Sequence, residues 1–198
     1  MEQKPTRARI LDAAHALMST RGLARATTKE IARAASCSEA ALYKHFVSKE
    51  ELFVAVLQER LPRLTPLLNE LVEQPGERGV VQNLTEIARL ACEFYAESFP
   101  IAASLYAETA LKRRHDASLR ETGMGPHVPV EALDAYLRAE RDAGRIAADT
   151  DTFAAASLLM GACAQRAFAY DAALGKPPPQ PVEEFAATLA RTLVRGIG

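Results

Sequence analysis

The segment that decides the fold of this chain is residues 27–46, which read TTKEIARAASCSEAALYKHF. It predicts two short helices, each opened by a hydroxyl side chain that can accept a hydrogen bond from a backbone N–H of the first turn. Thr27 is the cap of the first helix, and Ser38 stands at the start of the second. Each helix carries its own apolar stripe, which is Ile31, Ala32 and Ala35 in the first and Leu42 and Phe46 in the second. Two such helices joined by a tight turn predict a helix-turn-helix.

The outer face of the second predicted helix is small, cationic and aromatic. With its two apolar anchors held inward, a rotation of about 100° per residue turns Ala40 and Lys44 to the opposite face. A recognition helix needs small residues for close approach to a major groove, a cation for guanine or phosphate, and a hydroxyl to fix its register. Ala41 and Tyr43 lie on the flanks. An ordinary helical hairpin in an all-helical core explains the two helices equally well, so the flanking residues must decide.

Those flanking residues carry a family resemblance over roughly the first 55 positions. The matching residues are Gly22, Ala26-Thr27-Thr28, Ile31-Ala32, Ala34-Ala35, Ser38, Leu42-Tyr43-Lys44-His45-Phe46, Lys49 and Leu52. In this order, without a gap, they resemble the signature of the tetracycline-repressor (TetR) family. Ser36 stands at the turn position where the family usually has glycine, and a left-handed Ser36 would cost on the order of 1 kcal/mol. Cys37 replaces a small aliphatic residue, and we expect it to be buried.

The resemblance implies an all-α fold of about nine helices. It divides the chain into a three-helix helix-turn-helix DNA-binding domain at residues 1–49 and a helical ligand-binding and dimerisation domain at residues 50–198. The last two long helices would pair with those of a second subunit, and a two-fold dimer would place two recognition helices ~34 Å apart on a roughly palindromic site. Small residues that permit close helix packing are Ala155, Ala156, Gly161, Ala162, Ala164, Ala186, Ala187 and Ala190. The same residues could serve a contact within one chain.

Helix boundaries elsewhere follow from caps, glycine and proline. We expect the first helix to open at Pro5 or Thr6 and to end at Gly22, and Ser48 to form a capping box with Glu51. Further predictions are a restart after Pro62 and Pro66, a helix of about 80–98 broken at Phe99-Pro100, and a helix of 101–111 followed by a solvated charge run at 112–116. Later helices are expected at about 130–143, 151–174 and 182–197.

Charge is distributed unevenly along the chain. Residues 1–49 hold nine Lys or Arg and four Asp or Glu, a net of +5, whereas the remainder holds fifteen and twenty-one, a net of −6. A basic head on an acidic body suits a polyanionic partner that touches only the head.

The cysteines and the apolar runs predict where the protein works. Cys37, Cys92 and Cys163 are too far apart for a metal clip, so we expect reduced, buried thiols in a cytoplasmic protein. No run reaches the ~18 to 20 apolar residues needed to span a bilayer, and no signal-peptide core stands at the amino terminus.

For DNA, we expect base contacts from one set of residues and phosphate contacts from another. Facing the bases are Lys29, Ala40, Ala41 and Lys44; facing phosphates are Thr27, Thr28, Tyr43, His45 and Lys49. The first-turn N–H groups behind Thr27 and Ser38 add donors for anions. Glu39, at the start of the recognition helix, either accepts from a cytosine amino group or repels phosphate, and the sequence does not decide between the two.

For a ligand, the second domain offers aromatic and flexible apolar side chains on consecutive helices. Candidate lining residues are Phe94, Tyr95, Phe99, Tyr106, Met124, His127, Tyr136, Met160, Gln165 and Phe168. A pocket of this composition favours an apolar or aromatic effector held by few polar groups, although each of these residues is also an ordinary core or surface residue.

Two other classes compete with a DNA-binding regulator. An enzyme lacks support, because no glycine-rich phosphate loop, H-E-x-x-H pair or G-x-S-x-G elbow is present. The sequence also calls for no cofactor and no metal. A helical ligand-binding protein of the same fold that does not bind DNA competes more seriously. The presence of Lys29, Tyr43, Lys44 and Lys49 argues against it.

Overall fold

The computed structural model describes residues 4–60, 64–74, 78–107, 109–123, 125–170 and 177–197. The described residues form ten α-helices and no strand, which confirms the all-α prediction. The helices are α1 Thr6–Arg25, α2 Thr28–Ala34, α3 Glu39–Tyr43, α4 Lys49–Glu59, α5 Leu64–Glu73, α6 Val80–Ala107, α7 Thr109–Thr122, α8 Val128–Asp142, α9 Thr152–Ala169 and α10 Val182–Ile197.

The helices belong to two compact units. The first unit comprises Met1–Leu61 and Glu97–Met124, and the second comprises Pro62–Ala96 and Gly125–Gly198. The first unit therefore holds α1 to α4, the end of α6 and α7, while the second holds α5, most of α6 and α8 to α10. A division at residue 49, which separates α4 from the helix-turn-helix, describes a functional domain and stays a prediction.

The core of the first unit is built where α1 covers the helix-turn-helix. Ile10, Leu11 and Met18 of α1 are fully buried, as are Ile31 of α2 and Leu42 of α3. Burying each such side chain contributes roughly 1.5 to 3 kcal/mol. Helix α1 packs against α2 and α4.

Ion pairs tie the start of α1 to the end of α4. The Arg7 guanidinium donates to both carboxylate oxygens of Glu59, at 2.6 and 2.7 Å, and lies 5.2 Å from the centre of the Phe46 ring. Arg60 Nε donates to Asp12 Oδ1 at 2.8 Å. These partners hold the pKa of the Glu59 and Asp12 carboxyls below their usual values through side-chain hydrogen bonds, from Arg7 to Glu59 and chiefly from Lys4 to Asp12.

Gly22 takes the left-handed region predicted for it, with φ 77°, but it does not end α1. The helix bends there and continues through Leu23 to Arg25, and the Ala26 N–H then donates to the Gly22 carbonyl oxygen at 3.3 Å. The predicted interruption at Gly22 is therefore confirmed, and one further turn follows it, so the element as a whole ends three residues later at Arg25. Leu23 is fully buried, so the extra turn places another apolar side chain in the core.

The predicted break at Phe99-Pro100 is wrong, because α6 runs without interruption from Val80 to Ala107. Proline inside a helix removes the hydrogen bond of its own nitrogen and costs about 3 kcal/mol or more. Ser98 and Ile101, on either side of Pro100, are both buried. Packing on both sides of the proline offsets the lost bond, and such packing leaves no local mark in the sequence.

Helix α7 overturns the prediction of a solvated helix end at residues 112–116. The charge run lies inside the helix, and His115 is only 8% exposed. Its ring lies 5.0 Å from the ring of Phe53 on α4, centre to centre. Burial lowers the pKa of His115 below its usual 6.5; Lys112 also lowers it, and Asp116 and Glu50 oppose the shift.

The second unit has a core shared by α5, α6, α8, α9 and α10. Its fully buried side chains include Leu68, Leu84, Ile87, Leu133, Tyr136, Leu137 and Leu159. Helix α9 begins after Asp151, whose carboxylate accepts from the Ala154 N–H at 2.9 Å. It ends at Ala169, so the predicted continuation to residue 174 is wrong at Tyr170, and residues 171–174 lie outside the described residues. Helix α10 has the bounds predicted for it. The guanidinium carbon of Arg166, on α9, lies over the ring of Phe185 on α10, 4.7 Å from the ring centre.

The three cysteines differ from the prediction at one position. Cys92 and Cys163 are buried, as expected, whereas Cys37 is half-exposed. Cys37 lies at the turn between α2 and α3, which is too short to enclose it. No helix in the described part of the chain combines the length and the apolar character needed to cross a membrane.

Candidate nucleic-acid interface

The start of α2 is fixed by a reciprocal cap. Thr27 Oγ1 accepts from the Glu30 N–H at 3.2 Å, and a carboxylate oxygen of Glu30 accepts from the Thr27 N–H at 3.2 Å. Thr27 thus caps α2 as predicted, and Glu30 completes a capping box that the T-x-x-E spacing would have indicated. The hydrogen bonds from Thr27, together with Arg21, lower the pKa of Glu30.

The turn that follows α2 is a Schellman motif. The Cys37 N–H donates to the Ala32 carbonyl oxygen at 2.9 Å, and the Ser36 N–H donates to that of Arg33 at 3.1 Å. Ser36 has φ 52° and is the sole non-glycine residue with positive φ among those described. Serine therefore occupies the left-handed position that favours glycine. The turn keeps both hydrogen bonds of the Schellman motif, at a cost in backbone strain.

Helix α3 presents the face predicted for it. Ser38 caps the helix by accepting from the Ala41 N–H at 3.1 Å, and Leu42 is fully buried. On the opposite side Ala40 and Lys44 are exposed, and Tyr43 is 48% exposed. Small and cationic side chains therefore lie on the outer face.

The first turns of α2 and α3 are joined by side chains. The Thr28 hydroxyl donates to Glu39 Oε1 at 2.5 Å, and the Tyr43 hydroxyl donates to Thr28 Oγ1 at 3.4 Å. Sequence reasoning placed all three residues at the surface but did not predict these contacts, because they join positions 11 and 15 residues apart.

Cations surround this surface. Lys29 and Arg33 of α2 are exposed, as are Lys44, the C-cap of α3, and His45 beside it. Lys29 and Arg33 line a shallow depression of about 680 Å³ whose other walls are Ala32, Ser36, Cys37, Ser38 and Glu39. A phosphate backbone that approaches this face meets positive charge and short side chains.

Lys49 is placed differently from the other candidate cations. Its ammonium donates to the Ala24 carbonyl oxygen at 3.0 Å and so links the start of α4 to the end of α1. The phosphate contact assigned to it stays a prediction, and it requires the side chain to leave this carbonyl. The neighbouring cap is also only partly as predicted: Ser48 accepts from the Glu51 N–H, but the Glu51 carboxylate accepts from the Val47 N–H rather than that of Ser48.

Four candidate ligand residues lie in or against the core of the second unit. Tyr136 and Met160 are buried, and Asn83 Nδ2 donates to the Tyr136 hydroxyl oxygen at 2.9 Å. Phe94 and Tyr95 are half-buried, with ring centres 5.5 Å apart. Burial raises the pKa of both tyrosines, that of Tyr95 to about 12.

The remaining ligand candidates are not brought to that core. Gln165 and Phe168 are exposed on α9, His127 is exposed at the start of α8, and Phe99 belongs to the first unit. The side chain of Tyr106 and all of Met124 lie outside the described residues. Sequence reasoning also missed Asn83 and the fully buried Glu140, which pairs with Arg145. Within the described chain, no three His, Cys, Asp or Glu side chains are arranged to hold a metal ion.

A capped helix-turn-helix with an exposed, cationic second helix defines the class of helix-turn-helix DNA-binding proteins. Residues 10–56 match the family model of bacterial regulatory proteins, tetR family. The chain is 28% identical over 159 residues to the HTH-type transcriptional regulator UidR of Escherichia coli strain K12. The aligned residues cover 80% of this chain and 78% of UidR.

Solved structures share the fold over nearly the whole chain. Salmonella enterica GusR is 24% identical with a TM-score of 0.69, covering 98% of each chain. Bacillus subtilis FadR, a transcriptional regulator solved in complex with stearoyl-CoA, is 16% identical with a TM-score of 0.69, covering 96% of this chain and 99% of FadR. Residues 10–56 are thus similar to bacterial regulatory proteins of the tetR family, and the chain shares its fold with these solved proteins over nearly its whole length.

Proposed function

We propose that this chain is a TetR-family transcriptional regulator, a cytoplasmic repressor that binds a roughly palindromic operator in double-stranded DNA as a homodimer. A small apolar or aromatic effector that binds the second unit releases it from the operator. The observation that carries the proposal is the division of α3 into a buried and an exposed side. Leu42 is fully buried, while Ala40 and Lys44 face outward.

The exposed side of α3 has the chemistry that a major groove requires. Ala40 lets the backbone come close to the base edges, and Lys44 supplies a cation for guanine or phosphate. Lys29 and Arg33 extend the positive surface along α2. Neutralising phosphates releases counterions, so we expect operator binding to weaken steeply as salt rises.

The homodimer is supported by an apolar stripe on α9. Phe168 is 76% exposed and Leu158 is 65% exposed, with Phe153 at 55%. Ala154, Leu158, Gly161, Gln165 and Phe168 are all exposed and follow one another at steps of four and three residues along one helix face. Large apolar side chains in one exposed row favour a protein partner, and the small Ala154 and Gly161 between them allow a second helix to approach closely. A second copy of the chain offers the same stripe.

The effector is supported by the aromatic residues of the second unit. Phe94, Tyr95 and Tyr136 provide apolar surface with few polar groups, which suits an apolar or aromatic molecule. FadR of Bacillus subtilis, which shares the fold, was solved in complex with stearoyl-CoA, a ligand with a long apolar acyl chain. An effector releases DNA only if it binds more tightly to the form of the dimer that fits DNA poorly.

Footprinting of the purified protein on the intergenic DNA beside its own gene tests the proposal. We expect two protected half-sites related by approximate two-fold symmetry, one helical turn or a whole multiple apart. Absence of a mobility shift on that DNA at low salt would instead favour a helical ligand-binding protein that does not bind DNA. Stearoyl-CoA, added as a probe with an apolar acyl chain, tests release from the operator. Tyrosine fluorescence reports its binding because the chain has no tryptophan.

A further inference from the structure

We propose that Glu39 is a positioning residue of the DNA-binding surface rather than a reader of bases. Its carboxylate holds the Thr28 hydroxyl and, through it, the Tyr43 hydroxyl, and so fixes the first turn of the recognition helix against α2. The proposal rests on the operator binding proposed above and deepens it. It assigns a role to the acidic side chain that stands in the middle of a cationic surface.

The geometry places Glu39 between the two helices. Thr28 is the first residue of α2 and Glu39 the first of α3, and their side chains are joined by a hydrogen bond of 2.5 Å. Helix α3 has only five residues, so its orientation depends on contacts with other elements. Leu42 anchors one side of α3 in the core, and the Thr28–Glu39 bond anchors the outer side.

The directions of the hydrogen bonds show which hydroxyl protons are engaged within the protein. The Tyr43 hydroxyl donates to Thr28 at 3.4 Å, and the Thr28 hydroxyl donates to the carboxylate at 2.5 Å. A hydrogen bond to a carboxylate is charge-assisted and stronger than one between neutral groups. Thr28 therefore has its hydroxyl proton engaged within the protein, while the longer bond of Tyr43 is easily exchanged for a phosphate oxygen. The Thr28 side chain becomes a link, and Tyr43 remains a phosphate contact.

Positioning and charge make separable contributions at residue 39. Glu39→Gln keeps a side-chain oxygen that can accept from Thr28 but removes the negative charge, whereas Glu39→Ala removes both. The negative charge opposes the approach of any DNA, so both variants should bind random DNA at least as tightly as the wild-type protein does. Only the alanine variant should lose the orientation that the operator needs.

The test is a double-mutant cycle on the full-length protein with Glu39→Ala, Thr28→Val and the double variant, with Glu39→Gln as the conservative control. Binding to the footprinted operator and to random DNA is measured at one fixed salt concentration. Each single alanine or valine variant should weaken operator binding about fivefold to tenfold, the effect of one hydrogen bond of about 1 to 1.4 kcal/mol. The double variant should be no more than about twofold weaker than either single variant, because both substitutions break the same bond. Glu39→Gln should stay within about threefold of wild type.

The opposite pattern would overturn the proposal. If the losses of Glu39→Ala and Thr28→Val multiply, or if Glu39→Ala loses discrimination at a single operator base pair only, Glu39 reads a base. The same cycle, measured without DNA by denaturation, should give non-additive changes in the midpoint. Additive changes would also refute the proposed Thr28–Glu39 link. Failure of the wild-type protein to bind the operator would refute the proposed function instead, and the DNA-free cycle would still decide the role of Glu39.

Discussion

The two units of this protein expose surfaces of opposite chemistry. The surface of α2 and α3 carries Lys29, Arg33 and Lys44 around small and hydroxyl side chains. The surface of α9 instead carries Leu158 and Phe168 along a single helix face. Each surface is costly for a free protein, since one concentrates positive charge and the other exposes apolar area to water. The difference indicates two partners, a polyanion for the first surface and an apolar protein face for the second.

In the proposed dimer, DNA binding at α3 depends on the contact at α9. Only a dimer presents two recognition helices at the spacing of successive major grooves, so a change on α9 should affect binding at α3. A change on α3 should leave the dimer intact. Variants on α9 and on α3 should therefore have different effects on the oligomeric state.

The largest effect is expected from a charge on the apolar stripe. Phe168→Glu places a carboxylate in the proposed dimer contact and should convert the protein to monomers. Operator affinity should then fall by two orders of magnitude or more, because a single head loses the second set of contacts. Sedimentation velocity reports the oligomeric state and a mobility shift reports DNA binding. Glu131→Lys, an exposed change of charge on α8, is the control and should leave both unchanged. A dimeric Phe168→Glu protein with normal affinity would remove α9 from the interface.

The next effect is expected on the cationic surface. Lys44→Ala should weaken operator binding by roughly 1 to 3 kcal/mol if Lys44 contacts guanine, and its dimer should remain intact. Titrations on the operator and on random DNA separate two modes of contact. A loss confined to the operator indicates base contact, whereas an equal loss on both DNAs makes Lys44 a phosphate contact. Unchanged affinity for both the operator and random DNA would mean that DNA does not contact the surface around Lys44.

These first two tests address function, whereas much of the local structure was predictable beforehand. The caps at Thr27 and Ser38 and the inward side of α3 follow from hydrogen-bonding side chains and apolar spacing within a few residues. Such signals are local, and the structure confirms them. Gly22 was likewise predicted to be left-handed, although the helix continues beyond it.

The errors lie where distant segments decide the outcome. Helix α6 continues through Pro100 because packing offsets a missing hydrogen bond, and His115 is buried because Phe53 of α4 covers it. The Thr28–Glu39 contact depends on the angle between two helices. For the ligand site, residue types were predictable from the sequence but their positions in the fold were not, so exposed Phe168 and buried Tyr136 were grouped together.

A smaller effect is expected at the turn that joins α2 to α3. Ser36→Gly should stabilise the protein by roughly 0.5 to 1 kcal/mol, because glycine adopts φ 52° without a clash of Cβ. Urea denaturation of the two proteins measures the difference. Ala34→Gly, at an exposed right-handed position in α2, is the matched control and should be destabilising. Equal destabilisation by both substitutions would contradict strain at Ser36.

The smallest effect is expected from the pH dependence of stability at His115. Burial lowers its pKa in the folded protein below the usual 6.5, so the unfolded chain binds its proton more readily. The stability that the neutral ring provides is complete above pH 6.5 and is lost as the pH falls below that value. Thermal unfolding of wild type and His115→Gln from pH 7.5 to 5.5 measures this loss, which should be greater in wild type. Parallel pH profiles would show that His115 does not contribute.

The central claim is that the exposed face of α3 enters a major groove, and methylation interference at the operator tests it most directly. Guanine N7 lies in the major groove, so a methyl group there should block a recognition helix. We expect interference at guanines in two symmetric half-sites, and we expect it to be lost at one or more positions in Lys44→Ala if that residue contacts guanine. Operator binding that is indifferent to guanine N7 methylation, and blocked only by methylation of adenine N3 in the minor groove, would contradict it.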